Sequence, residues 1–375
     1  MAESVDELKK LIAREDKKEE KNKEDIVAQV IDENISPLID PSTIRTTMPN
    51  RSHICKVDDA IDEVAFDVLR RIRTGVIKTN FDIRNNATKK NKPSSPRILC
   101  MVYTHSGAHD RIQAIVNTWG SQCDGFFAAS NKTDLSINTI NLAHKGPEAY
   151  NNMWQKVRSM WRYVHDFFLH DYDYFHISGD DSYVVVDNMK AYFLGEQVER
   201  LLRGHVDNIS RVSSNKTSRW KNLKKGESRP LLFGVPLTIR NNLFPQGGGG
   251  YTLNREALKR IGLKGGPLDT VLADNVDSRE DVFIATLLAK IDTYVSDTRD
   301  DGGAFRYIPY RPKHVFQGSG KYPEKWNITT VSGMSKFSNE TVALHLRDMD
   351  DNVLMDEVIY RTHDIVSGTC DFTIF

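Results

Sequence analysis

Two pairs of adjacent carboxylates stand in this sequence where a soluble fold does not ordinarily put charge. Asp180 and Asp181 lie in YFHISGDDSYVVV, residues 174–186, between two apolar runs that read as buried strand. Paired carboxylates at the end of a core strand suit a hard divalent cation such as Mn²⁺ or Mg²⁺, which takes oxygen ligands and leaves positions for substrate phosphates. A solvated loop tip explains the same letters without chemistry. The second pair, Glu280 and Asp281 in SREDVF, opens an apolar segment. There a carboxylate either complements a helix dipole or acts as a general base toward an acceptor hydroxyl. Glycines 247–250 precede Tyr251 and form either a flexible turn or a place where backbone approaches a sugar or phosphate closely. His345, in TVALHLRD, reads in isolation as an ordinary strand histidine, and Trp119, Trp154 and Trp161 fall on helical stripes that belong to a core. The chain has no identifiable Ser/His/Asp arrangement and no Walker or dinucleotide fingerprint.

The elements that must carry these residues alternate in type. RILCMVYTH, from Arg97, is a short strand-forming run, followed by a helix from Asp110 with Ile112, Ile115, Val116 and Trp119 on one stripe. GFFAAS and SINTINLA read as further strands. Residues 147–170 carry Met153, Trp154, Val157, Met160, Trp161, Val164, Phe167 and Phe168 at helical spacing and feed the strand that ends at Asp180. Beyond a basic, irregular stretch at 205–226, LLFGVPLTI reads as strand, YTLNREALKRIG as a helix closed by Gly262, and VFIATLLAKI as an amphipathic helix. Such alternation predicts an α/β fold with a mixed, mostly parallel sheet flanked by helices, in which ligands bind beyond the carboxyl ends of the strands. Asp180 and Asp181 fall at such an end.

Residues 1–96 are expected to stand apart from this domain, as a charged tail, an amphipathic segment at 58–72 and a polar linker at 85–96. The domain itself spans 97–365, and 366–375 form a C-terminal tail. Lys+Arg and Asp+Glu balance at 51 each, so bulk electrostatics recruit no nucleic acid. Four cysteines exclude a disulfide scaffold but allow one or two bridges. N-x-S/T sequons, including those at Asn50, Asn86, Asn131, Asn208, Asn215, Asn327 and Asn339, exceed chance and favour the secretory pathway. The first twenty-five residues show neither the apolar core of a signal peptide nor a membrane anchor.

Taken in order, RILCMVYT, RIQAIVNTWGSQCDGFFAAS, MWQKVRSMWRYVHDFFLHDYDYFHISGDDSYVVVDNMK, FGVPL with GGGGYTLNREALKRI, SREDVF and NETVALHLRDMDDNVLMDEVIYRTH resemble the core 1 β1,3-galactosyltransferase family. That family lies within the fringe-like inverting β1,3-glycosyltransferases, and the resemblance runs from residue 97 to about 363. It implies a glycosyltransferase A-type nucleotide-sugar-binding domain. The implied enzyme moves galactose from UDP-galactose to the 3-hydroxyl of N-acetylgalactosamine on a glycoprotein or glycan, with Mn²⁺ or another divalent cation as cofactor. Residue by residue, it implies Asp180, Asp181 and His345 as metal ligands, the last in an H-x-x-D context with Asp348. Asp281 falls on the general base, with Glu280 beside it. Arg111, Trp119 and Asp180 fall on the donor side, and Gly248, Gly249, Gly250 and Tyr251 on the acceptor side. It further implies a Golgi or secretory location and allows a homodimer. The sequence departs from the family at Gly179, where the metal motif has its first Asp, and at FSNE, where a cysteine pair is expected. The alternatives are a fringe-like transferase using UDP-GlcNAc, a non-catalytic chaperone-like relative, and a carbohydrate-binding module. Retention of the metal and base positions together favours catalysis.

Overall fold

The computed structural model describes residues 95–205, 220, 223, 227–239, 242–309, 337–346, 355, 356 and 359. The expected segment at 58–72, nearly all of the linker, the basic stretch beyond residue 205 up to 226 apart from two positions, Asp348 and both tails lie outside them.

Apolar runs flanked by polar punctuation give the strands β1 (Ile98–Tyr103), β2 (Gly125–Ser130), β3 (Thr139–Asn141) and β4 (Tyr174–Gly179). They lie parallel in the order β3-β2-β1-β4. The helix between β1 and β2 is α1 (His109–Asn117), and that between β3 and β4 is α2 (Met153–Phe168). After β4 come β5 (Ser182–Val184), α3 (Val186–Leu194) and α4 (Glu196–Leu202). Next are β6 (Leu232–Phe233), the hairpin β7 (Pro236–Ile239) and β8 (Asn242–Pro245), and β9 (Tyr251–Asn254). Helices α5 (Arg255–Gly262), α6 (Pro267–Thr270) and α7 (Glu280–Ala289) precede β10 (Tyr307–Ile308) and β11 (Ala343–His345). β9 runs antiparallel to β4 and β6 antiparallel to β9, which completes a mixed six-stranded sheet. β10, β11 and β5 form a second, three-stranded sheet. The expected α/β fold with a mostly parallel sheet is the one observed.

Both faces of the large sheet are covered, which is why its strands read as unbroken apolar runs rather than as alternation. Successive side chains still point to opposite faces. On β2, Phe126 meets Trp119 edge-on at 5.9 Å, whereas Phe127 meets Tyr163 of α2 at 5.5 Å. Cys100 of β1 is joined by a disulfide to Cys123, in the turn after α1, which ties that helix to the sheet. Among the described residues, no helix is long and apolar enough to cross a membrane.

The elements depart from the sequence reading at four places. YTLN is strand β9, and the helix begins only at Arg255, where the Asn254 side chain caps the Ala257 N–H at 3.0 Å. Of SINTINLA only Thr139–Asn141 is strand, preceded by a 3₁₀ turn. In α2, Trp154, Val157, Met160, Trp161 and Val164 are fully buried, but Phe167 is 44% exposed. Helix α7 is not amphipathic: Phe283, Ile284, Ala285, Leu287 and Leu288 are buried around most of its circumference, as expected of a helix enclosed in the core.

Candidate active site

The turn at Asp180 and Asp181 is where the chain leaves one sheet for the other. β4 ends at Gly179 in the six-stranded sheet, and Ser182 begins β5, which pairs antiparallel with β11 so that Ser182 lies opposite His345. Leu346 closes the register with an N–H bond to the Asp181 carbonyl, 2.9 Å. This pairing carries His345 to Asp181, with Nε2 at 3.1 Å from Oδ2. The other ring nitrogen, Nδ1, lies 2.9 Å from the Pro309 carbonyl. A carbonyl can only accept, so Nδ1 carries the proton there. Burial pushes the Asp181 carboxyl up, but the hydrogen bond and charge of His345 more than offset it and hold it below the usual carboxylate range.

Asp180 points elsewhere. Its Oδ2 accepts from the Thr104 hydroxyl at 2.6 Å and its Oδ1 from Arg111 of α1 at 3.1 Å. Burial raises its pKa in spite of both partners, and the Asp181 charge adds to the rise. Behind Thr104, the buried Lys156 of α2 donates to the Thr104 carbonyl and to Glu148, and burial lowers its pKa. Thr104, just past the end of β1, is thus held by Lys156 through its carbonyl and by Asp180, itself bonded to Arg111, through its hydroxyl.

The second acidic pair opens α7. Asp281 is half-buried, with Oδ2 accepting the Gly247 N–H at 3.0 Å and Oδ1 the Val282 N–H at 2.8 Å. Burial raises its pKa to about 6, against the pull of those backbone donors. Glu280 is buried and accepts the Tyr251 hydroxyl at 2.6 Å. Burial and the neighbouring Asp281 push its pKa well above the usual carboxylate range. Asp281 is left as the carboxylate able to change protonation near neutral pH.

The glycine run lies between the two pairs. Glycines 247–249 form a 3₁₀ turn, and Gly250 adopts φ 70°, a left-handed conformation that a side chain would strain. The Gly248 carbonyl accepts the Ser182 hydroxyl at 2.9 Å. A Cβ on Gly248 would fall 2.4 Å from His345 Nδ1, and one on Gly247 would fall 2.8 Å from a Glu280 carboxyl oxygen. Backbone is therefore in contact with the Glu280–Asp281 pair on one side and with His345 and Ser182 on the other, which only glycine allows.

The structure thus brings together Asp181 with His345, Asp180 with Arg111, Gly248 with His345, and Tyr251 with Glu280. Trp119 and Tyr251 are fully buried. Trp119 reaches the site through its indole N–H, which donates to the Ser182 carbonyl at 3.2 Å, and Tyr251 through Glu280. Gly249 packs beneath the turn, where a Cβ would meet the Ile308 carbonyl at 2.9 Å. Sequence reasoning missed Tyr103, Thr104, Lys156 and Ser182. Tyr103 and Thr104 close an apolar strand, and their only signal is their place at the carboxyl end of β1, beside β4.

Asp181 and His345 fit a divalent cation. Nδ1 is committed to a carbonyl, which leaves Nε2 facing a carboxylate oxygen that can only accept. A positive charge between them, proton or metal ion, satisfies both. A backbone carbonyl on the far nitrogen is also the usual way a metal-binding imidazole is oriented. Among the described residues no three His, Cys, Asp or Glu side chains converge into a metal-holding group, because Asp180 is turned toward Thr104 and Arg111.

No protein-family model matches the chain. Over 288 residues, covering 74% of this chain and 70% of the relative, it is 22% identical to Glycoprotein-N-acetylgalactosamine 3-beta-galactosyltransferase 1 of Xenopus laevis. That likeness supports a galactosyltransferase relationship without selecting a member.

Proposed function

We propose that the protein is a divalent-metal-dependent inverting glycosyltransferase that moves galactose from UDP-galactose to the 3-hydroxyl of an N-acetylgalactosamine on a glycoprotein or glycan. The observation that carries this reading is the placement of the two pairs. A half-buried carboxyl with a pKa of about 6 touches one side of a glycine turn whose other side touches the Asp181–His345 couple.

Asp281 is the general base. It takes the proton from the acceptor hydroxyl as that oxygen attacks the anomeric carbon from the face opposite the nucleotide, so the configuration inverts without a covalent intermediate. The Gly247 and Val282 N–H groups fix its carboxylate, and Glu280 beside it, its pKa raised by burial, is occupied by the Tyr251 hydroxyl. Asp181 and His345 would hold the cation, with Asp180 able to join them by turning from Thr104. Such a cation, when bound, offsets charge growing on the departing diphosphate. Arg111, 38% exposed, is placed to add a second positive charge on that side. The buried Cys100–Cys123 bridge supports an oxidising compartment, in keeping with a secretory or Golgi location.

The test is a screen of UDP-galactose and UDP-N-acetylglucosamine against GalNAc-bearing and other acceptors, with and without Mn²⁺, followed by linkage analysis. A β1,3-linked galactosyl product that needs the metal is expected. Preference for UDP-N-acetylglucosamine would move the protein to the related fringe-like activity. Absence of any transfer, with no binding of UDP, would overturn the reading.

A further inference from the structure

Gly179 and Tyr103 sit side by side in the large sheet, the last pair in the register between β1 and β4. A Cβ on Gly179 would lie 2.8 Å from Asp181 Oδ1, 3.3 Å from the Tyr103 ring edge and 3.5 Å from the Tyr103 hydroxyl oxygen. The phenol therefore packs against the space that a side chain at 179 would enter, and it brings its hydroxyl up to the Asp181 carboxylate side of the site. Glu280, Asp181 and Asp281 all act on that hydroxyl electrostatically, and with burial they raise its pKa well above the ordinary phenol. The hydroxyl thus lies on the Asp181 side of the site, next to Gly179. None of the hydrogen bonds among the described residues uses it. A half-buried phenol with no hydrogen-bond partner among the described residues, on the Asp181 side of the site, is placed to meet a ligand.

We infer that Tyr103 is a positioning residue for the transferred sugar: its hydroxyl hydrogen-bonds a sugar hydroxyl of the donor, and Gly179 is the space that lets the ring in. This rests on the glycosyltransferase reading above. The sugar is the part of the donor concerned, because it follows directly on the diphosphate that a cation at Asp181 would hold, and Tyr103 stands on the Asp181 side next to Gly179. Thr104, the next residue, already spends its hydroxyl on Asp180 and cannot serve.

The experiment compares affinities for UDP and for whichever of UDP-galactose and UDP-N-acetylglucosamine the wild-type protein takes better, by calorimetry with Mn²⁺ present. Tyr103→Phe is expected to weaken the sugar nucleotide about fivefold to tenfold, the loss of one hydrogen bond, while UDP alone binds as before. Gly179→Ala, whose Cβ crowds both Asp181 and Tyr103, is expected to weaken both ligands. In Tyr103→Phe, Gly179→Ala should then cause no further selective loss for the sugar. Equal affinities in wild type and Tyr103→Phe, or an equal loss for UDP and the sugar nucleotide, overturn the inference while leaving the transferase reading intact. A wild-type protein that binds neither ligand overturns both. Thermal melting of Tyr103→Phe within about 2 °C of wild type rules out a purely structural loss.

Discussion

Asp180 and Asp181 stand at a turn between two sheets with Arg111, the Thr104 hydroxyl and His345 around them, whereas Glu280 and Asp281 enter a helix enclosed by apolar side chains. Each pair contains one carboxyl committed to the protein and one left for chemistry. At the turn, partners make the division: Asp180 is tied to Thr104 and Arg111, and Asp181 is held ionised against His345. At the helix, depth makes it: Glu280 is buried under Tyr251 with its pKa pushed well up, and Asp281, less enclosed and bonded to two backbone N–H groups, has its pKa raised only to about 6. Adjacent like charges thus acquire opposite duties from what packs against them.

The comparison can be broken most sharply at the helix. Asp281→Asn keeps the shape of the base and removes its proton affinity, so transfer should fall by about a hundredfold or more while metal-dependent UDP binding persists. Loss of UDP binding in that variant would mean that the two pairs do not divide the work. At the turn, His345→Ala should weaken Mn²⁺-dependent UDP binding by about tenfold or more, read by calorimetry with and without the metal, and leave metal-free binding unchanged. The titration comes next in size. The base must be ionised to accept a proton and its pKa is raised, so kcat/KM should be steady above pH 7 and fall about tenfold per pH unit below about 6. A profile flat down to pH 5 would exclude Asp281. The smallest effect is structural. Tyr251→Phe leaves a buried Glu280 without its donor and should cost about 1–3 kcal/mol of stability by denaturant titration.

Much of the large sheet is legible in the sequence because β1, β2 and β4 are six-residue apolar runs. The small sheet is not. Strands of two or three residues, such as β10 and β11, are too short to display a period, and what pairs them lies far away in the chain. YTLN reads as helix because REALKRIG continues it, yet its backbone is claimed by β4 and β6. VFIATLLAKI looks amphipathic only while its polar end residues are counted, and burial treats it as core. Within the site, the acidic pairs announce themselves by charge in apolar surroundings. His345 does not, since a lone histidine in a strand acquires meaning only from the register that sets it opposite Ser182. Tyr103 and Lys156 are hidden for a related reason: both occupy stretches whose periodicity spells core, and only topology turns them toward the carboxylates.

The glycine turn leaves the site with a one-sided vulnerability. Its links to Ser182 and Asp281 run through a peptide carbonyl and a peptide N–H, which no substitution other than proline at Gly247 deletes. Mutation there can only add atoms, and the first carbon added at Gly248 already overlaps the His345 ring. Proline apart, variation at these positions should therefore disable the protein by obstruction rather than omission, and second-site changes that make room, rather than ones that supply a contact, are the route by which function would be recovered.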